Sequence, residues 1–256
     1  LAEPPAEFKA YVATLNGSWY QELAFSEIHQ IPKKGKVKIR KISSNSSISD
    51  NNNCYSLAGA EYGVYSDAGC NNLIGTLVTG DDGNSLELEV DAAKCYIKEI
   101  KAPNGFHINT QVYEVDVEVN QTQNVDVYDN PIDDPVALLI QKVDSRTGQA
   151  NPSLAGAEFT IKFYAGQYAD GIDPASQGIQ ATRTWVLSTD TDGYLRLADN
   201  YKVSGDEFYR NVNGTPTLPM GTVTAQETRS PDGYKINPQI FVANIKPGTG
   251  ATDRKS

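Results

Sequence analysis

The chain has 256 residues, with 22 lysines and arginines against 32 aspartates and glutamates, a formal net charge of −10. Acidity of that size argues against nucleic acid and anionic membrane surfaces as partners, since both repel it, and no apolar run approaches the ~18–20 residues of a membrane-spanning helix, so no membrane insertion is expected. The length predicts two domains of roughly 100–130 residues each.

Taken in chain order, residues 1–35 carry some strand character in AYVATLNGSWYQELAFSEI and end at IPKKGK, reading as the tail of an upstream domain or an extra strand. VKIRKI at 37–42 is the first clear period-two strand. An asparagine-rich stretch follows, in which Cys54 and Cys70 flank a short strand pattern, as suits a local disulfide in an oxidising compartment; the third cysteine, Cys95, falls in a strand. There is no CxxC, and His29 and His107 lie in no ligand-spaced cluster, so neither a metal nor a cofactor is expected. VYEVDVEV at 112–119 and NVDVYD at 124–129 alternate again, then DNPIDDPVA at 129–137 forms a short, stiff connector holding the domains end to end with limited swing. ALLIQKV at 137–143 and PQIFVANI at 238–245 complete the strand series. GDDG at 80–83 and DTDG at 190–193 lack the spacing of a calcium loop and read as hairpin turns. Leu1 at the start and a single methionine, Met220, suit a segment of a longer polypeptide. The architecture expected is all-β.

An internal repeat organises these elements. One copy runs IRKIS, SLAGAEYGVYS, VTGDDGNSLELEV, CYIKEIKAPNGF; the other runs IQKVDSRTG, SLAGAEFTIKFYAG, STDTDGYLRL, VTAQETRSPDGY. The second copy is longer at about 165–185 and 199–217, where Gly, Asp, Asn and Tyr suggest surface loops.

Strand parity singles out the candidate chemistry. In VKIRKI, Lys41 follows Val37 and Ile39 on the inward row; in ALLIQKV, Lys142 follows Leu138 and Ile140; in NVDVYD, Asp129 follows Val125 and Val127. Glu99 and Glu227 each end an apolar strand four residues before a proline. A buried lysine or carboxylate loses hydration worth several kcal/mol, so each needs a partner. One reading is a pair of buried ion pairs that hold register. The other is amide formation: desolvation drives the amine toward its neutral, nucleophilic form and the carboxyls toward their protonated forms, and Glu99 between Lys41 and Asp129 shuttles the proton.

The ordered motifs K-[IV]-[SD], LAGAE-[YF], T-x-D-G or G-D-D-G, and E-x-x-x-P-x-G-[FY] resemble the collagen-adhesin B-type (CnaB), SpaA-like domains of Gram-positive surface proteins and pilins, over about residues 36–131 and 136–245. The resemblance implies two tandem immunoglobulin-like sandwiches at 36–131 and 136–256. It also implies a Lys–Asp isopeptide bond between Lys41 and Asp129 assisted by Glu99, with Lys142 and Glu227 in the matching places of the second domain. The second copy departs from the pattern, with no strand like NVDVYD after PQIFVANI; neither Asn244 nor Asp253 takes the place of Asp129, so the acceptor for Lys142 is left open and the second sandwich is expected to lack its last strand.

Two functions are compatible with this sequence. One is a structural stalk segment of an extracellular, cell-wall-anchored adhesin or pilin, partnered by neighbouring domains of the same protein and performing a single self-directed reaction. The alternative is an adhesive module whose 165–217 insertions present tyrosines and Trp185 to a host matrix protein or glycan.

Overall fold

A computed structural model describes residues 33–134 and 138–247. The reading of residues 1–32, with Trp19 and His29, and the position of Asp253 lie outside the described residues.

The first domain is built from β1 (Lys34–Ser43), the single-turn helix α1 (Ser46–Ser49), β2 (Glu61–Tyr65), β3 (Leu73–Val78), β4 (Leu88–Asp91), β5 (Lys94–Lys101), β6 (Val112–Asp116) and β7 (Thr122–Asp129). A sheet in the order β4-β1-β7 packs on another in the order β3-β2-β5-β6. Their inward rows interdigitate: Val37, Ile39, Val90 and Val127 meet Tyr62, Val64, Leu77, Cys95, Ile97 and Val115. β1 and β7, the first and last strands, run parallel in unbroken register from Lys36 opposite Thr122 to Ser43 opposite Asp129.

The second domain comprises β9 (Leu139–Gln141), β10 (Glu158–Tyr164), β11 (Arg183–Ser188), β12 (Tyr194–Arg196), β13 (Lys202–Gly205), β14 (Tyr209–Arg210), β15 (Pro216–Pro219), β16 (Gly221–Arg229) and β17 (Ile240–Ile245), preceded by β8 (Asp133–Asp134) in the connector. The main sheet runs β13-β11-β10-β16-β17, with β12-β9 as a separate pair. Among the described residues β9 pairs with β12 alone, whereas β1 has β4 on one side and β7 on the other.

Repeated words in the sequence perform repeated tasks. In each LAGAE segment a threonine hydroxyl from the facing strand accepts the alanine amide and donates to the leucine carbonyl: Thr79 serves Ala60 and Leu57, and Thr189 serves Ala157 and Leu154. That pins the entry of β2 and of β10.

The insertions differ from expectation. Residues 199–217 are not simple surface loops: β13 extends the main sheet, and β15 pairs with both β14 and β8, so the connector is hydrogen-bonded to the second domain. Trp185 is fully buried, packed against Phe208 and Tyr209, and is not displayed for adhesion. These strands are two to four residues long, too short for alternation to declare itself.

Candidate functional site

Parallel pairing sets the geometry. Lys41 stands opposite Val127 and Asp129 opposite Ser43, so Lys41 and Asp129 lie two residues apart on adjacent strands, on one inward face. Glu99 comes from the other sheet, on β5, opposite Tyr62 of β2. All three charged side chains are closed to solvent. Lys41 Nζ is in direct contact with Asp129 Oδ2 and lies 3.1 Å from Glu99 Oε1. It also reaches the Tyr62 hydroxyl at 3.5 Å and sits 5.2 Å from the centre of the Phe106 ring.

Asn109 joins the two carboxyls. Its backbone N–H donates to Glu99 Oε2 at 2.6 Å and its side-chain amide donates to Asp129 Oδ1 at 3.1 Å. Burial pushes the Lys41 ammonium below its ordinary pKa, against the opposing charge and hydrogen bond of Glu99. Burial, then the Glu99 charge and hydrogen bond, push the Tyr62 phenol well up.

The turn motifs serve the same lysines. Lys41 N donates to Gly83 O and Lys142 N to Gly193 O, each at 2.8 Å. Both glycines have positive φ, +77° and +75°, and a Cβ on either would come within 2.5 Å of the lysine carbonyl oxygen. T-x-D-G and G-D-D-G thus end in glycine because the turn seats directly on the lysine backbone.

In the second domain Lys142 Nζ lies 2.7 Å from Glu227 Oε1, with the lysine side chain 11% exposed and the glutamate 1%. The Asn237 amide donates to Glu227 Oε2 at 2.9 Å, as Asn109 does for Glu99. Among the described residues nothing takes the place of Asp129. The Asn244 side-chain amide is engaged by Tyr168 O and Asp170 Oδ1 rather than by Lys142.

Asn109, Tyr62 and Phe106 were not singled out in the sequence. A signal existed for the first: HINTQ and KINPQ place an asparagine ten residues after each core glutamate.

The expected Cys54–Cys70 disulfide is corrected: all three cysteines are free. Cys54 is buried toward the second domain, its sulfur 3.8 Å from Gln167 Nε2. Cys70 belongs to the β2–β3 turn and lines a cleft with Lys98 and Ile100, which point away from the core. Among the described residues no group of three or more His, Cys, Asp or Glu side chains is arranged to hold a metal.

The family described as SpaA, a prealbumin-like fold domain, matches residues 35–131 and again 136–255. A stretch of 59 residues is 41% identical to the trypsin-resistant surface T6 protein of Streptococcus pyogenes serotype M6, covering 23% of this chain and 11% of that protein. Among solved structures, the Bacillus anthracis TIE protein is 25% identical with a TM-score of 0.54, over 84% of this chain and 31% of the other. A C-terminal fragment of the pilus adhesin SpaC from Lactobacillus rhamnosus GG is 16% identical over 82% of each chain, with a TM-score of 0.43. The chain spans less than a third of the T6 and TIE proteins. With both sandwiches matched, the chain belongs to the SpaA prealbumin-like domain family and carries two such domains in tandem.

Proposed function

We propose that this chain is a stalk segment of a Gram-positive surface protein, exposed outside the cell, whose first domain locks itself with an amide bond between Lys41 and Asp129. One observation carries the reading: the Lys41 amine touches Asp129 Oδ2 and lies 3.1 Å from Glu99 Oε1, with all three side chains shut off from water. A structural ion pair needs only one carboxylate, whereas amide formation needs an acceptor carboxyl and a proton carrier at the same amine, which Asp129 and Glu99 supply.

The chemistry follows from the contacts. Glu99 takes a proton from the amine, and the freed lone pair attacks Cγ of Asp129. Negative charge then develops on Oδ1, facing the Asn109 amide donor. Glu99 returns that proton to Oδ2, then takes a second from the now-bonded nitrogen and passes it to Oδ2 as well, so the C–Oδ2 bond breaks, one water leaves, and the amide N–Cγ bond remains. Glu99 ends as it began, so each chain reacts once. Lys142 and Glu227 hold the amine and proton-carrier roles in the second domain, where a second bond requires an Asp or Asn side chain brought beside Lys142.

Closing the loop from 41 to 129 stabilises the domain by about 4–5 kcal/mol on the chain-entropy account of crosslinks. The test is the intact mass of the denatured chain. The wild type is expected to be lighter than its sequence by one water for the first domain, and Glu99→Ala to have the full mass. A wild type of full mass sinks the reading.

A further inference from the structure

We propose that the second domain closes the lysine site of the first: Met220 backs Tyr55 and Gly105, these back the Phe106 lid over Lys41, and the amide bond forms quickly only when the domains are docked. This rests on the crosslink reading above and adds a positioning role for residues in another domain.

Phe106 is the apolar wall over the amine and is 4% exposed. Beside it lies an open cleft of about 390 Å³, lined by Lys41, Ser43, Ser49, Tyr55, Asp82 and Phe106, so solvent-accessible space runs up to the wall around the closed reacting groups. Behind Phe106 the Tyr55 ring packs edge-on, with centres 5.9 Å apart. Tyr55 is itself held from outside its domain: its hydroxyl donates to Ile132 O in the connector at 2.6 Å and accepts the Met220 N–H at 2.8 Å. Asn52 Nδ2 donates to Met220 O at 2.8 Å, clasping the same residue from its other side. Gly105, the neighbour of Phe106, receives the Ile132 N–H at 2.7 Å and is so close to Tyr55, Cys54 O and Met220 Cε that a Cβ there would meet each within 3.0 Å. Two further contacts seat the same face, Asn45 Nδ2 on Arg210 O and Ile48 in the second domain's core.

The second domain shows the alternative arrangement. Tyr234 stands where the first repeat has Phe106, and its hydroxyl meets Ser153, Asn151 and Asp144 of its own domain. That ring is fastened within its own domain. Phe106 has no hydroxyl to do the same: its backbone bridges Pro131 and its neighbour His107 donates to Asn130 O, while its ring is backed by Tyr55 and, through Tyr55, by Met220. Amide formation needs the amine kept dry, and undocking admits water along the cleft.

The experiment uses the whole chain with Met220→Leu, Met220→Ala and Met220→Lys. Each is made in a cell-free system and quenched into denaturant at intervals, and the fraction lacking one water is read by mass spectrometry. Amide hydrogen exchange of β2 and β5 is measured in the same variants on a Glu99→Ala background, where no bond forms. Met220→Leu is expected to react like wild type, Met220→Ala several-fold more slowly and Met220→Lys at least ten-fold more slowly, with β2 and β5 protected as in the parent. Equal rates across the series overturn the proposal and leave the crosslink standing. Slow reaction accompanied by lost protection also overturns it, making Met220 a folding residue. If the wild type never loses water, the crosslink reading fails instead.

Discussion

Asn109 donates its side-chain amide to Asp129 Oδ1 at 3.1 Å, while its own backbone N–H holds Glu99, so one residue fixes the reacting carboxyl and the proton carrier relative to each other. Asn109→Ala keeps the backbone donor and removes the one facing Oδ1. Loss of a donor at a developing oxyanion costs about 10²–10³ in rate. Water loss in Asn109→Ala is therefore expected to slow by about 10²-fold, measured by timed quenching and intact mass, with the final mass unchanged.

Asp129→Ala removes the acceptor and leaves Lys41 paired with Glu99. The missing crosslink is worth about 4–5 kcal/mol, and a domain of this size shifts by about 4–8 °C per kcal/mol. Calorimetry is expected to show the first domain melting roughly 16–40 °C lower. A shift of only a few degrees would mean that the two strands were never tied.

Gly105 has φ +89° and no room for a methyl group between Tyr55 and Cys54 O, whereas Gly59, at φ +82°, has open space around it. Gly105→Ala therefore meets backbone strain and a clash, with an expected loss above about 3 kcal/mol; Gly59→Ala meets strain alone, about 1–2 kcal/mol. Urea unfolding of the two variants checks the difference.

Burial pushes the Cys95 thiol up to about 11, helped by the Asp116 charge, and burial raises Cys54 against hydrogen bonds from Gln167. The thiolate is the reactive form, so iodoacetamide at about pH 8 is expected to label the partly exposed Cys70 and spare the other two. For Cys95 the folded value lies above the ordinary 9.0. The folded chain keeps a proton that the unfolded chain releases, so this contribution is complete below pH 9 and fades between pH 9 and about 11. The fall in urea midpoint across that window is expected to be smaller in Cys95→Ala.

Alternation made much of this molecule legible. It is a local property: once Val37 and Ile39 face inward, Lys41 must too, and the same rule turns Glu99 and Asp129 into the core. Asn109 lies between strands, where no period says which way a side chain points; only its recurrence at Asn237 marks it. The docking face was invisible because Asn45 and Arg210, or Tyr55 and Met220, are each 165 residues apart and belong to no repeat. The connector proved to be a strand through pairing with β15, a partner 84 residues downstream at Leu218 and Asp134. The disulfide expectation failed because proximity in the chain does not decide what a thiol faces: Cys54 is buried against Gln167 of the second domain, while Cys70 sits partly exposed in the β2–β3 turn.

The parallel course of β1 and β7 has a mechanical consequence. A pull applied at Lys34 and at Asn130 acts on opposite ends of two strands running the same way, so the eight residue pairs from Lys36–Thr122 to Ser43–Asp129 must slide past one another together. Antiparallel neighbours gripped at one shared end would open like a zip, one rung at a time. Here shear loads all the rungs at once, and the module resists stretching even before any covalent link is counted.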